Sequence, residues 1–232
     1  MGRPARCEPG VAALPGVNNF HSDVRVYNGG TSVVTVTPTL YSFIGSAPRQ
    51  AAAFTVQPGE VKTFDDIVQS MFNAPGDGGS VVFTTNAASS LVTTGRTYTI
   101  DAAQNNGTFG QFIPGVTSTQ GIAANDKPLQ ILQLEESPNF RTNVGLVELT
   151  GNAATVHLTA FVPDSKITAS TDIPLQPNQF VQANRVLASM YPGQNVYNAR
   201  ISVSVTSGTG RVAAYGSVID NKSFDPTYVP AQ

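Results

Sequence analysis

The sequence contains no tryptophan, one cysteine and two histidines, and only 12% of its 232 residues are charged. Each shortage removes a class of function. With Cys7 alone there is no intrachain disulfide and no cysteine-based zinc site. Thirteen basic residues against fifteen acidic ones leave a net charge of −2. Because the basic residues are scattered singly, the chain lacks the clustered positive charge that neutralises phosphates, which excludes a general nucleic-acid binder. No apolar run approaches the roughly 18 residues of a membrane-crossing helix, so no membrane insertion is expected.

What fills the polar positions instead is Thr, Ser, Asn and Gln, a composition typical of secreted and cell-surface β proteins. The expected location is therefore extracellular or cell-surface. Met1 to Gly10 carries two prolines and three charges and has no apolar core, so it is not a signal peptide, and an export signal is expected outside the chain. Residues 1–10 read as a disordered tail, with Cys7 a free thiol within it.

The strongest pattern is an internal duplication. Asn19-Phe20-His21-Ser22-Asp23-Val24 recurs about 120 residues later as Asn139-Phe140-Arg141-Thr142-Asn143-Val144. Gln57-Pro58 and Ser70-Met71-Phe72 match Gln176-Pro177 and Ser189-Met190-Tyr191. Thr108-Phe109 with Phe112-Ile113-Pro114 closes the first copy as Ser223-Phe224 with Tyr228-Val229-Pro230 closes the second.

Within each copy, β-branched and aromatic residues alternate with polar ones, as in Val24 to Tyr27, Val33 to Leu40, Ser80 to Thr85 and Leu91 to Ile100. Ile167 to Ile173, Ala199 to Thr206 and Arg211 to Ile219 answer them, with glycine-rich turns between. Period two with one wet face predicts antiparallel strands packed as sandwiches. One segment per copy breaks this period. Phe64, Ile67, Val68, Met71 and Phe72 fall on a helical stripe, repeated by Ala183, Val186, Leu187, Met190 and Tyr191. Thr63 with Asp66 resembles a capping box, and Met71 and Met190 are expected to be buried. The expected fold is all-β: two tandem Ig-like antiparallel β-sandwiches, residues 11–114 and 129–230, each with one short helix and joined by 115–128.

Three segments carry a family resemblance: Phe20-x-x-Asp23-Val24-x-Val26-x-Asn28, Gln57-Pro58-Gly59-Glu60, and Arg96-Thr97-Tyr98 followed by Gly107 to Pro114. On these the chain resembles an uncharacterised tandem Ig-like repeat module of exported bacterial, acidobacteria-like, multidomain surface proteins. The resemblance implies a secreted β-sandwich and little about activity. The second copy departs from it at Asn143, Glu148 and Gly216-Ser217-Val218.

Candidate chemistry is sparse. Neither His21 nor His157 is matched by a histidine in the other copy, no Gly-x-Ser-x-Gly elbow is present, and Glu135-Glu136 reads as a solvated corner, so no catalytic residue and no enzyme is expected. No cofactor is expected either; Asp65, Asp66 and Asp77 are weak calcium candidates, acidic oxygens flanking the helix. A ligand site, for a protein or a glycan partner, should use what the first copy has and the second lacks. That singles out Arg96 and Tyr98 on one strand face, with Phe109 and Gln111 brought beside them by the turn at Gly107 to Gly110. The expected role is a non-catalytic structural or adhesive module, the alternative a glycan- or protein-binding module attached to a secreted enzyme.

Overall fold

The structure is a computed structural model and describes residues 5–14, 19–87, 90–101, 106–163 and 166–232. The chain divides into two compact units, Met1–Ser118 and Thr119–Gln232.

The first unit holds β1 (Ala5–Ala13), β2 (Phe20–Asn28), β3 (Val34–Ser42), β4 (Arg49–Gln50), β5 (Phe54–Val56), β6 (Val61–Phe64), α1 (Ile67–Ser70), β7 (Asp77–Thr85), β8 (Leu91–Asp101) and β9 (Gly107–Pro114). One antiparallel sheet runs β1-β7-β3-β4, with β5 also paired to β3, and the other runs β6-β2-β8-β9. Alternation decides what is buried: Val24 and Val26 of β2, Val36 and Leu40 of β3, and Val81 and Phe83 of β7 meet in one core.

The second unit holds β10 (Leu129–Glu136), β11 (Phe140–Glu148), β12 (Ala154–Val162), β13 (Ile167–Leu175), β14 (Phe180–Ala183), α2 (Val186–Met190), β15 (Val196–Gly208), β16 (Val212–Asp220) and β17 (Pro226–Pro230). Its sheets run β10-β15-β12-β13 and β14-β11-β16-β17, strand for strand the order of the first unit. Its core gathers Val144, Leu146, Leu158, Ala160, Ile201 and Val203. The fold is thus all-β, with a sandwich in each unit.

Several expectations are corrected. Residues 5–10 of the expected tail belong to β1, which pairs with β7 from Ala5 opposite Thr84 onward. Cys7 is buried there and exchanges both backbone hydrogen bonds with Val116. The strand escaped notice because its inward residues Arg6 and Glu8 are polar, so it shows no apolar alternation. The segment 115–128 is no free connection either: Val116 bridges to Cys7, Ser118–Gln120 form a 3-10 turn, and Ile122 bridges to Val212.

The helices are single turns. Phe64 ends β6 and Ala183 ends β14, so the first residue of each predicted stripe is a strand residue. Ile67, Val68 and Phe72, with Val186, Leu187 and Tyr191, are buried, whereas Met71 and Met190 are only half-buried. No capping box forms, because Asp66 (φ 45°) and Arg185 (φ 48°) adopt the left-handed conformation instead of the extended one a side-chain cap needs. What holds each turn is a bond from elsewhere in the fold: the Asp66 N–H donates to Asp23 Oδ1 at 3.0 Å, and the Arg185 N–H to Asn143 Oδ1 at 2.9 Å.

Two further devices recur. Asn28, fully buried at the end of β2, donates to Ser32 O and Val56 O and accepts the Gly30 N–H. Glu148, its counterpart at the end of β11, accepts the N–H groups of Thr150, Gly151, Asn152, Asn178 and Arg211. The 57–60 and 176–179 turns close alike, the Gln57 N–H donating to Glu60 Oε2 at 2.6 Å and the Gln176 N–H to Gln179 Oε1 at 2.8 Å.

Glu8 departs from this frame. It lies opposite Val81 on β1, the place Ile131 takes opposite Ile201 on β10. Its carboxyl is fully buried, neither oxygen has a well-formed hydrogen bond, and a Cβ at Gly95 would collide with Oε1. Burial pushes its pKa well above the ordinary 4.5, and Thr93 beside it offsets only part of that. A proton is therefore held more tightly by the folded than by the unfolded chain. The stabilisation this brings is complete below pH 4.5 and is lost as pH rises through the elevated folded value. Unfolding of the chain and of Glu8→Gln by urea across this range checks this: wild-type stability should fall relative to the variant as pH rises above 4.5, and a constant difference would contradict it.

Candidate functional site

On β2 the odd-numbered residues His21, Asp23 and Arg25 face away from the core, because Ser22, Val24 and Val26 face into it. Pairing with β8 sets Asp23 opposite Arg96 and His21 opposite Tyr98. Pairing of β8 with β9 sets Phe112 opposite Arg96 and Gly110 opposite Tyr98. The outer face of this sheet therefore collects His21, Asp23, Arg96, Tyr98, Thr108 and Phe112.

These side chains form a connected network. His21 Nδ1 lies 2.9 Å from Asp66 Oδ2, and Asp66 is fixed by its backbone bond to Asp23. The His21 and Tyr98 ring centroids are 5.7 Å apart. The Arg96 guanidinium sits 4.7 Å over the Tyr98 ring and donates to Thr108 Oγ1 at 2.8 Å. Burial, and then the charges of Asp23 and Asp66, raise the Tyr98 hydroxyl pKa above its ordinary value, with Arg96 acting the other way. Beside the network, a cleft of about 410 Å³ is lined by Leu14, Asn19, Phe20, His21, Asp66 and Gln69, among others.

Of the four expected ligand residues, Arg96 and Tyr98 share this face. Phe109 and Gln111 do not: their ladder partners are Thr99 and Thr97, whose side chains point to the opposite side of the sheet. The turn could not bring them round, because residues directly opposite in a ladder share a face. Their place is taken by Phe112, 55% exposed, and by Thr108. His21, set aside in the sequence for want of a matching histidine, and Asp23, read there only as part of the family motif, are the missed members; only the β2–β8 register reveals that they stand beside Tyr98 and Arg96.

The calcium candidates do not converge. Asp65 pairs with Arg25 at 2.7 Å and Asp66 with His21. Asp77 lies on β7 in the other sheet, buried, accepting from the Ser42 hydroxyl and the Gly78 N–H. Among the described residues no group of three or more His, Cys, Asp or Glu is placed to hold a metal ion. His157 pairs on its own with Asp172 at 2.7 Å. Glu136 is not a solvated corner: it is 3% exposed and accepts from Arg185 Nε at 2.9 Å.

The ladders also correct the comparison of the copies. Val24 is opposite Gly95 and Val144 opposite Gly216, so Arg96 corresponds to Ser217 and Tyr98 to Ile219, one residue on from the sequence alignment. Through the whole network the second unit substitutes Arg141 for His21, Asn143 for Asp23 and Arg185 for Asp66. Only the bond from residue 23 or 143 to the helix-opening N–H survives. The chain matches no protein-family model, no curated protein and no solved structure.

Because Asn143 makes that bond without a charge, Asp23→Asn should change unfolding free energy by less than about 0.5 kcal/mol, whereas Asp23→Ala, which strands the Asp66 N–H, should cost about 1–2 kcal/mol. Urea unfolding distinguishes the two; equal losses would mean that charge, not the bond, is what the frame needs.

Proposed function

We propose that this chain is a non-catalytic structural and adhesive module of an exported protein, with a recognition face on the outer side of the β6-β2-β8-β9 sheet. One observation carries the reading. The groups that hold the fold are kept in both units in function if not in identity, Asp23 with Asn143 and Asn28 with Glu148. The outward groups His21, Arg96 and Tyr98 have no such counterpart. A side chain free of structural duty in a duplicated frame, yet tied into a network with its neighbours, is arranged for a ligand.

The composition and the resemblance to exported repeat modules support the location. A non-catalytic role is supported by Ser22, the hydroxyl next to His21 in the chain, which points inward and is bound to Ala12 and Thr97.

The second reading, a glycan-binding module serving a neighbouring catalytic domain, is favoured by the cleft itself. Phe20, 42% exposed, offers a ring for the apolar face of a sugar, with Asn19, His21, Asp66 and Gln69 as hydrogen-bonding groups around it. Arg96→Ala and Tyr98→Ala, screened with the parent chain on glycan and peptide arrays, separate the readings. The adhesive reading predicts a ligand of the parent that both variants lose while their melting temperatures hold. Binding that survives both substitutions would remove the face from consideration.

A further inference from the structure

β13 is an edge strand protected only by Asp172 and Pro174, toward its C-terminal end. It runs nine residues, pairs with β12 without a register shift, and contains no lysine or arginine. Apart from the Ile167 carbonyl, which accepts from the Tyr191 hydroxyl, such an edge presents a row of backbone N–H and C=O groups that another strand can satisfy. The corresponding edge of the first unit is broken into β4 and β5, of two and three residues.

Side chains along β13 sort by face. Ile167, Ala169, Thr171 and Ile173 lie opposite Val162, Ala160, Leu158 and Val156, all core residues of β12, and so share the inner side. Beyond them lies a cleft of about 410 Å³ between this row and Ala183, Val186 and Met190. A strand added to β13 would lay its own inward row along that cleft.

We infer that β13 is the contact through which two copies of this chain pair, antiparallel about Ala169, to form one continuous eight-stranded sheet. The sequence of the strand selects this occupant. Pairing centred on Ala169 brings Lys166, the turn residue just before the strand, beside Asp172 of the other copy, so both ends of the contact join opposite charges, Asp172 holding His157 of its own chain on its other side. It sets Ile167 opposite Thr171 and Thr168 opposite Ser170, inward with inward and outward with outward. Pro174, which has no N–H to offer, falls outside the paired stretch. A two-fold axis normal to the sheet keeps both cores on the same side.

Charge reversal tests the register. Sedimentation of the full chain should show a concentration-dependent dimer. Lys166→Asp and Asp172→Lys should each weaken it about tenfold or more through like charges set opposite. The double reversal, Lys166→Asp with Asp172→Lys, should restore it. Melting temperatures of all three variants should stay close to the parent's, since Lys166 is exposed and Asp172 gives up only its part-exposed pair with His157. A chain that stays monomeric at every concentration overturns the inference. So does a dimer that ignores either single reversal, or one that the double reversal fails to restore; pairing with a different extended peptide would then be the remaining use of the edge.

Discussion

A polar side chain buried at the end of a strand, with loop N–H or C=O groups gathered around it, is the constraint on which each unit depends. A sandwich loop must leave its sheet, and its backbone groups lose their ladder partners where it does so. In the second unit Glu148 supplies acceptors for five of those N–H groups at once; in the first, Asn28 supplies one acceptor and two donors. The two side chains differ in charge, and the loops around them differ in detail, yet each fastens the turn after its strand to the segment that leads into the neighbouring edge strand, β6 or β14. An unpaired carboxylate in such a place would be costly, and five N–H donors remove the cost.

With the loops fixed from inside, the outer faces are free to diverge. The first unit displays an acid, a histidine, an arginine and a tyrosine in contact; the second sets Arg141 and Arg185 near the same positions, each engaged locally, with Asn221 at 2.7 Å and with Glu136. The two faces thus have different chemistry on matching frames, and a ligand fitted to one would not fit the other. At Glu8 the divergence reaches the interior, a carboxyl where its counterpart Ile131 is a hydrocarbon.

Much of the frame was legible in the sequence because period two survives where the inward residues are apolar, as in β2, β3 and β15. β1 was not, since Arg6 and Glu8 point inward and Gly10 sits at a bulge. The helices were overestimated because Phe64 and Ala183 extend the apolar stripe by coincidence: each is the last residue of a strand. Of the candidate site, Arg96 and Tyr98 were readable as residues that the second copy does not match. His21 and Asp23 were not, because their contact with that strand depends on a register between segments about 75 residues apart, and Phe112 was not, because its face is set by the exact β8–β9 register; no local pattern encodes either.

Native-state hydrogen exchange tests the central claim most directly. The amides of Gly151, Asn152 and Asn178 lie in loops, yet each donates to the buried Glu148 carboxylate. The account predicts that they exchange as slowly as the strands β11 and β16, opening only when the unit unfolds. Exchange at the rate of free loops, with the strands still protected, would contradict it.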